Sequence, residues 1–535
     1  MSRVPERAAL ALIAAALTAV VVLVAPPGTD FAAHAYQSAV FDRHGLQFWD
    51  NNWYAGRYVF VTYSLLYYPV ASVAGMAAVA IVSVGLSAGM FYALLEAEWG
   101  AAGRWAARCF AVAWPAFLLT AAFPFTLGAL FALWALRSLQ RGRTGLGCVL
   151  CALALAASPL AFALLGLVLA GITLAKRTRG QRLLAPAATM LCLGLFEVLL
   201  WRIFPNARRN PFPLRDMLPA AAFCAGVIWL TRGSQRARPL RAIFAVFGAA
   251  TVASYVLPTA VGEGISRFQF AALPVAVLAL SLGRDGVPRR LAGTVVVALA
   301  AWLNVPPLAA SLASGLRTSA STAAYWQPAV DFLRSHPDPS YRVEAVDTVG
   351  HWPAVYLARA GVPIARGWFR QDDFPQNATL YAPLTADSYA TWLGLLGVRY
   401  VVLSDATPDY SAQAEARLLR SGRSGLALVR RTAHLSIYAV RTPSSVVVGL
   451  GPARVTSLTQ DGVTVALGAP GTYRLAIRYT PYWGTSSGCV TRAADGMTFL
   501  TVRRPGRVRL RFRFDADRAL DALVGPPGLR CERGA

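Results

Sequence analysis

The 535-residue chain predicts a polytopic α-helical membrane protein of about eleven spans. After the last span it predicts an external C-terminal α/β domain and then a β-sandwich. Three observations carry that fold class. The composition is 56% hydrophobic and 14% charged, with a mean hydropathy of +0.47, which soluble globular chains seldom reach. Apolar runs of near-span length recur through the first 315 residues, separated by short loops rich in arginine. Beyond them the sequence becomes mixed and polar, with strand and amphipathic-helix patterns.

The apolar runs place spans at 8–25, 72–95, 104–121, 123–139, 144–157, 159–175, 183–203, 216–231, 239–257, 267–283 and 289–312. Two pairs of spans are joined by tight turns, Ala122-Phe123-Pro124 and Ser158-Pro159. With Arg3 and Arg7 in the cytoplasm, alternation puts five basic loops inside. They carry Arg104/Arg108, Arg137/Arg141/Arg143, Lys176/Arg177/Arg179/Arg182, Arg232/Arg236/Arg238/Arg241 and Arg284/Arg289/Arg290. The outward loop 204–216 departs from the rule by carrying Arg208, Arg209 and Arg215. An odd number of spans leaves the loop 26–70 and the C-terminal third on the external side. Arg3, Arg7 and the first apolar run also fit a signal peptide, but Val24-Ala25-Pro26 is a poor cleavage site. A retained first helix is therefore expected, in a multi-pass protein of the inner or plasma membrane with a cytoplasmic N-terminus.

The domain boundaries expected are 1–315 for the transmembrane domain, 316–440 for the α/β domain and 441–535 for the sandwich. Tyr325–Ser335 reads as an amphipathic helix, and TADSYATWLGLLGVRYVVLSD as a helix followed by a buried strand. Leu435–Val440 is a further strand candidate. After Pro443, short strands with Gly and Pro turns point to the sandwich. Within it, Arg507 to Phe514 alternates arginine and apolar residues, so four arginines share one face. That face is either a solvated surface or a site for anionic headgroups or acidic glycan.

The net charge of +25 does not point to nucleic acid as a partner. Lys176 is the only lysine, and the membrane-half arginines lie in loops between spans, as topology requires. Five cysteines sit in or beside apolar spans, where Cys acts as a small buried hydrophobe. Cys148 and Cys151 lack the further thiol or His neighbours that a zinc site needs. Cys489 and Cys531 share the C-terminal region and suit a disulfide if that region is exported.

Candidate chemistry collects in the opening loop. Asp30 directly follows the first span, at the depth where a carboxylate still finds water, and either caps the next helix or serves as a catalytic acid or base. His34 lies four residues on, over the same helical face. Asp42 and Asp50 are candidates for a second acid. Trp49, Trp53 and Tyr54 suit interfacial anchoring or stacking on sugar rings. In VGEGISRFQF, Glu263 is flanked by glycines that let backbone approach a ligand, and Arg267 has the bidentate geometry for a phosphate. Arg208 and Arg209 are further phosphate candidates. Arg370, Asp372 and Asp373 are candidate sugar contacts in the soluble third.

An acidic residue after the first span, a long aromatic external loop, about eleven spans and an external C-terminal domain together resemble the GT-C glycosyltransferases. ARGWFRQDDFPQNATLYAPLTADSYATWLGLLGVRYVVLSD (365–405) and TPYWGTSSGCV (480–490) more narrowly resemble actinobacterial YfhO-like membrane proteins. Some of those carry a 6-pyruvoyl-tetrahydropterin-synthase-related name, but no His cluster of metal-ligand spacing supports pterin chemistry in this chain. The GT-C likeness implies sugar transfer from a polyprenyl-phosphate donor to an envelope glycan or lipid acceptor, among membrane lipids. It implies that Asp30 is the general base, with a divalent metal used in some members and not in others. Members with a paired Asp-Glu differ from this chain, where Phe31 follows Asp30; His34, Asp42 and Asp50 compete for the partner role. Two other classes compete with the enzyme: a non-catalytic scaffold binding glycan or partner enzymes, and a lipid or glycan transporter, for which Glu197 is the clearest mid-span acid.

Overall fold

A computed structural model describes residues 5–176, 184–205, 212–257, 261–283, 287–316, 320–524 and 529–531. The chain divides into two compact units. The first comprises Met1–Phe31, Tyr63–Leu199 and Arg208–Leu316, and the second Ala32–Thr62, Leu200–Ala207 and Arg317–Ala535.

The first unit is helical, and every apolar run marked as a span coincides with helix. Six helices among the described residues are long and apolar enough to cross a membrane: Glu6–Val24, Met76–Trp99, Leu184–Ile203, Gln235–Val256, Gly262–Leu282 and Arg290–Leu316. Thr144–Ala157 and Pro159–Ala175 are apolar but shorter. The expected span 104–121 is an α-helix, Ala101–Ala113, continued by a 3₁₀ segment, Trp114–Thr120. Pro115 cannot donate to the α-ladder, and the segment ends where Ala121 turns left-handed at φ 60°. Arg104 and Arg108, expected in a loop, lie on that α-helix and pair with Glu96 at 3.0 Å and Glu6 at 2.7 Å.

In the second unit, a mixed four-stranded sheet runs in the order Arg342–Ala345, Val398–Ser404, Leu435–Ala439, Ala427–Arg431. The first two strands are parallel and the remaining pairs antiparallel. Val398–Ser404 is central, which is why its sequence is almost continuously apolar. The helix before it, Ala386–Leu396, starts at a capping box formed by Thr385 and Ser388 and stops at Gly397, whose φ of 72° suits glycine. Tyr389, Trp392, Leu393, Val401 and Leu419 fill the core, and Ala55 from the opening loop packs among them.

Two antiparallel sheets follow, of five and four strands. In Gly506–Phe512 the alternation holds: Val508 and Leu510 are buried, while Arg507, Arg509 and Arg511 are exposed. The strand stops at Phe512, so Arg513 and Phe514, both exposed, lie beyond it. Cys489 is disulfide-bonded, and its register partner on the adjacent strand is Cys531.

Candidate functional site

In the first unit, the chain leaves helix Glu6–Val24 and turns at Pro26–Asp30 against the end of the 3₁₀ segment. Gly28 makes this contact possible, because a Cβ there would lie 2.2 Å from the Leu119 carbonyl oxygen. The Asp30 N–H donates to the Thr120 carbonyl at 3.1 Å, and the Ser311 hydroxyl donates to the Leu119 carbonyl at 2.5 Å. Asp30 is thereby held at one place, 8% exposed.

Opposite it stands Arg267, on the 3₁₀ segment Gly262–Ala271 that leads into helix Ala272–Leu282. Arg267 Nη2 donates to Asp30 Oδ2 at 2.6 Å, a charge-assisted bond between residues 237 apart in sequence. Its guanidinium lies 6.0 Å from the centroid of Phe117, which packs on Phe270 at 4.5 Å. Its side chain keeps 27% exposure, so the pair is shielded but not sealed. Glu263, at the start of the same 3₁₀ segment, is exposed. The structure thus unites two residues that the sequence singled out separately. Arg208 and Arg209 lie outside the described residues.

The other opening-loop candidates belong to the second unit, and most are core. His34, Trp49, Trp53, Tyr54 and Asp50 are all buried, and only Asp42 is exposed. Trp53 stacks on Tyr36 with centroids 4.3 Å apart and donates its indole N–H to the Ala354 carbonyl at 2.9 Å. In this conformation its face is covered by protein, not open to a sugar. Tyr54 and Ala55 both adopt left-handed backbone, at φ 57° and 58°. Asp50 accepts from Tyr36 Oη at 2.8 Å and from the Asn52 N–H at 2.8 Å. Burial nevertheless pushes its carboxyl up to about 6.

The candidate sugar contacts in the soluble third are also engaged internally. Asp372 Oδ2 accepts from Arg57 Nε at 2.8 Å, with both side chains almost wholly buried. Arg57 in turn stacks 4.1 Å from the Phe369 centroid. Asp373 binds Arg366 at 3.1 Å, Asn377 at 2.9 Å and Tyr381 at 2.5 Å. Burial would raise its carboxyl, but the Arg366 and Arg370 guanidiniums overcome this and hold it at about 2. Arg370 is mostly buried and pairs with Asp347 and with Asp409. Nearby, burial and mutual repulsion raise Glu344 well above the usual carboxylate range, and burial raises Glu415 against the pull of Arg366. Sequence reasoning missed Arg57 and Arg366, the partners that hold these acids. Their only sequence signal is an arginine in an aromatic setting, which does not reveal burial.

Among the described residues, no group of three or more His, Cys, Asp or Glu side chains could hold a metal. At Asp30 the carboxylate oxygen that would face such an ion already faces a guanidinium. The described residues do not fit a resident metal.

No family model matches the chain, and no curated protein sequence matches it. Solved structures do resemble it, and they are GT-C glycosyltransferases, the class that the sequence resembles. The mycobacterial arabinofuranosyltransferase AftD is 15% identical with a TM-score of 0.49, over 96% of this chain. This chain spans only 57% of that protein's length. The oligosaccharyltransferase AglB of Archaeoglobus fulgidus, solved with an inhibitory peptide and a dolichol-phosphate, is 13% identical with a TM-score of 0.36. That match covers 74% of this chain and 69% of AglB. ArnT of Cupriavidus metallidurans is 15% identical with a TM-score of 0.34, covering 81% of this chain and 97% of ArnT. At these identities and scores the likeness assigns no role to any residue.

Proposed function

We propose that the protein is a membrane glycosyltransferase that moves a sugar from a polyprenyl-phosphate donor to an envelope glycan or lipid acceptor on the external face. One observation carries the reading: the 2.6 Å pair of Asp30 and Arg267, shielded but still reachable. A carboxylate and a guanidinium are the two groups that such a transfer needs, one to take a proton and one to hold a phosphate.

As paired, the Asp30 carboxylate is occupied by the Arg267 guanidinium and is not free to meet an acceptor hydroxyl. A donor phosphate offers Arg267 a competing anion with bidentate geometry. Once Arg267 turns to the phosphate, the Asp30 carboxylate accepts the proton of an acceptor hydroxyl. The hydroxyl oxygen then bonds to the anomeric carbon as the bond from that carbon to the phosphate oxygen breaks. The electron pair leaves on the lipid phosphate, where Arg267 meets the growing charge. Glu263, exposed at the start of the same segment, is in place to contact donor or acceptor.

The competing reading is a scaffold that has lost catalysis, favoured by the burial of Asp50 and by the engagement of Asp30 with Arg267. Transfer from native polyprenyl-phosphate sugars, measured with the full chain in membranes, separates the two. Loss of transfer in both Asp30→Asn and Arg267→Gln supports the enzyme. Full activity in Asp30→Asn removes the proposed base, and no transfer by the wild type leaves the scaffold.

A further inference from the structure

Within the second unit, a cleft of about 200 Å³ opens beside helix Phe31–His44. Its rim carries Arg43, His44 and Arg359, all exposed, and no carboxylate is among its lining residues. Of the acids near it in sequence, Asp50 is turned inward onto Tyr36, and Asp461, which accepts from the Thr459 hydroxyl at 3.3 Å, is paired with Arg511 at 3.0 Å. Arg43 is fixed in place, donating from Nη1 to the Arg359 backbone carbonyl at 2.7 Å. Two guanidiniums at the rim with no carboxylate in the lining disfavour the empty state and favour an anion.

The rest of the lining narrows the ligand. Asn52, Thr459 and Gln460 supply amide and hydroxyl groups. Gln460 Nε2 is buried without an acceptor among the described residues, although buried donors are almost always satisfied. Ala39, Val40 and Leu458 add an apolar patch of the kind that meets the C–H face of a pyranose. The volume lies below the roughly 300–1,000 Å³ that encloses a whole drug-sized ligand, so it suits a single ring.

We propose that this cleft binds one anionic sugar residue, a hexuronate or a phosphorylated sugar, with its charge on Arg43 and Arg359 and a ring oxygen or hydroxyl accepting from Gln460. The site does not depend on the transferase reading. If that reading holds, the cleft is where an acidic acceptor is gripped.

The test is calorimetric titration of the full chain in detergent or nanodiscs. The probes are an oligogalacturonate, galacturonic acid, galactose-1-phosphate, a neutral galacto-oligosaccharide and inorganic phosphate. The expected result is salt-sensitive binding of an anionic sugar, at least about tenfold tighter than both the neutral oligomer and inorganic phosphate. Arg359→Gln and Gln460→Ala should each weaken it by about tenfold, and Arg359→Lys by less, with thermal midpoints unchanged. Tighter binding of the oligomer than of the monomers identifies a glycan-borne residue; equal binding identifies a free sugar acid or sugar phosphate. Absence of binding, equal binding of the neutral oligomer or of inorganic phosphate, or full binding by Arg359→Gln overturns the proposal. Asp30→Asn should bind normally, so loss of transfer with retained binding fails neither claim for the other's reason.

Discussion

Replacing Arg57 is expected to be among the most damaging single changes in the second unit. Arg57 Nε meets Asp372 Oδ2 at 2.8 Å, with side-chain exposures of 4% and 2%. Arg57→Ala removes the guanidinium and leaves the Asp372 carboxylate in a site from which water is excluded. Breaking a buried pair from one side costs about 3–5 kcal/mol, more than the pair contributes when intact. The lost stacking on Phe369 adds to this. With a urea slope of about 2–3 kcal/mol/M, the midpoint should fall by about 1–2.5 M. Trp53 reports the change, since its ring lies 6.0 Å from the Arg57 guanidinium. Urea titration of the full chain in detergent, followed by tryptophan fluorescence, measures it. The double variant Arg57→Met with Asp372→Leu removes both charges of the pair, leaving Arg478 as a guanidinium that also drew on Asp372, and should be more stable than Arg57→Ala alone. A midpoint for Arg57→Ala within about 0.3 M of wild type, or a double variant as unstable as the sum of the singles, would refute the reasoning.

Gly28→Ala should reduce transfer without touching a reacting group. The added Cβ would displace the turn that holds Asp30, and transfer rate against donor concentration should show the loss in kcat. The second unit should lose stability as pH rises from about 4 to 6, because the Asp50 carboxyl, raised to about 6, stays protonated in the fold while the unfolded chain ionises. That one group contributes on the order of 3 kcal/mol, fully present below its unfolded pKa and gone above about 6. Glu344 and Glu415, both raised, act in the same direction. Asp373, held at about 2, acts oppositely: its contribution is present above the unfolded carboxylate range and is lost as pH falls toward 2. Urea midpoints measured from pH 3 to 8 should therefore peak on the acid side of neutrality. Non-reducing peptide mapping should recover Cys489 linked to Cys531, and reduction should cost the sandwich about 2–5 kcal/mol.

Helices were the most legible part of the sequence, because an apolar run of near-span length has few other fates. The amphipathic helix at Tyr325–Ser335 and the strand at Val398 were legible for the same reason: periodicity survives without knowledge of neighbours. In the opening loop the aromatic residues are buried rather than exposed. Trp49, Trp53 and Tyr54 carry the composition of a wet aromatic belt, yet they pack against residues hundreds of positions away, such as Ala354 for Trp53 and Trp483 for Trp49. No local pattern encodes a partner at that separation. Asp372 looks like an exposed ligand contact for the same reason, since Arg57 is distant in sequence, whereas the partners of Asp373, Arg366 and Arg370, lie in the same segment without any pattern that reveals their burial.

Asp30 and Arg267 show why a contact between two candidate residues still leaves a mechanism to be argued. Each was identified by position at a membrane boundary, Asp30 as a base and Arg267 as a phosphate ligand. Their contact would couple the two proposed roles, because neither group is available while the other holds it. A carboxylate at this depth without its guanidinium would be a standing desolvation cost and an open nucleophile. The pairing removes both until an anion competes for Arg267. It follows that Arg267→Lys, whose point charge holds carboxylate and phosphate less selectively, should lower transfer more than it lowers donor affinity. A loss confined to donor affinity would show that Arg267 binds phosphate but does not govern the base.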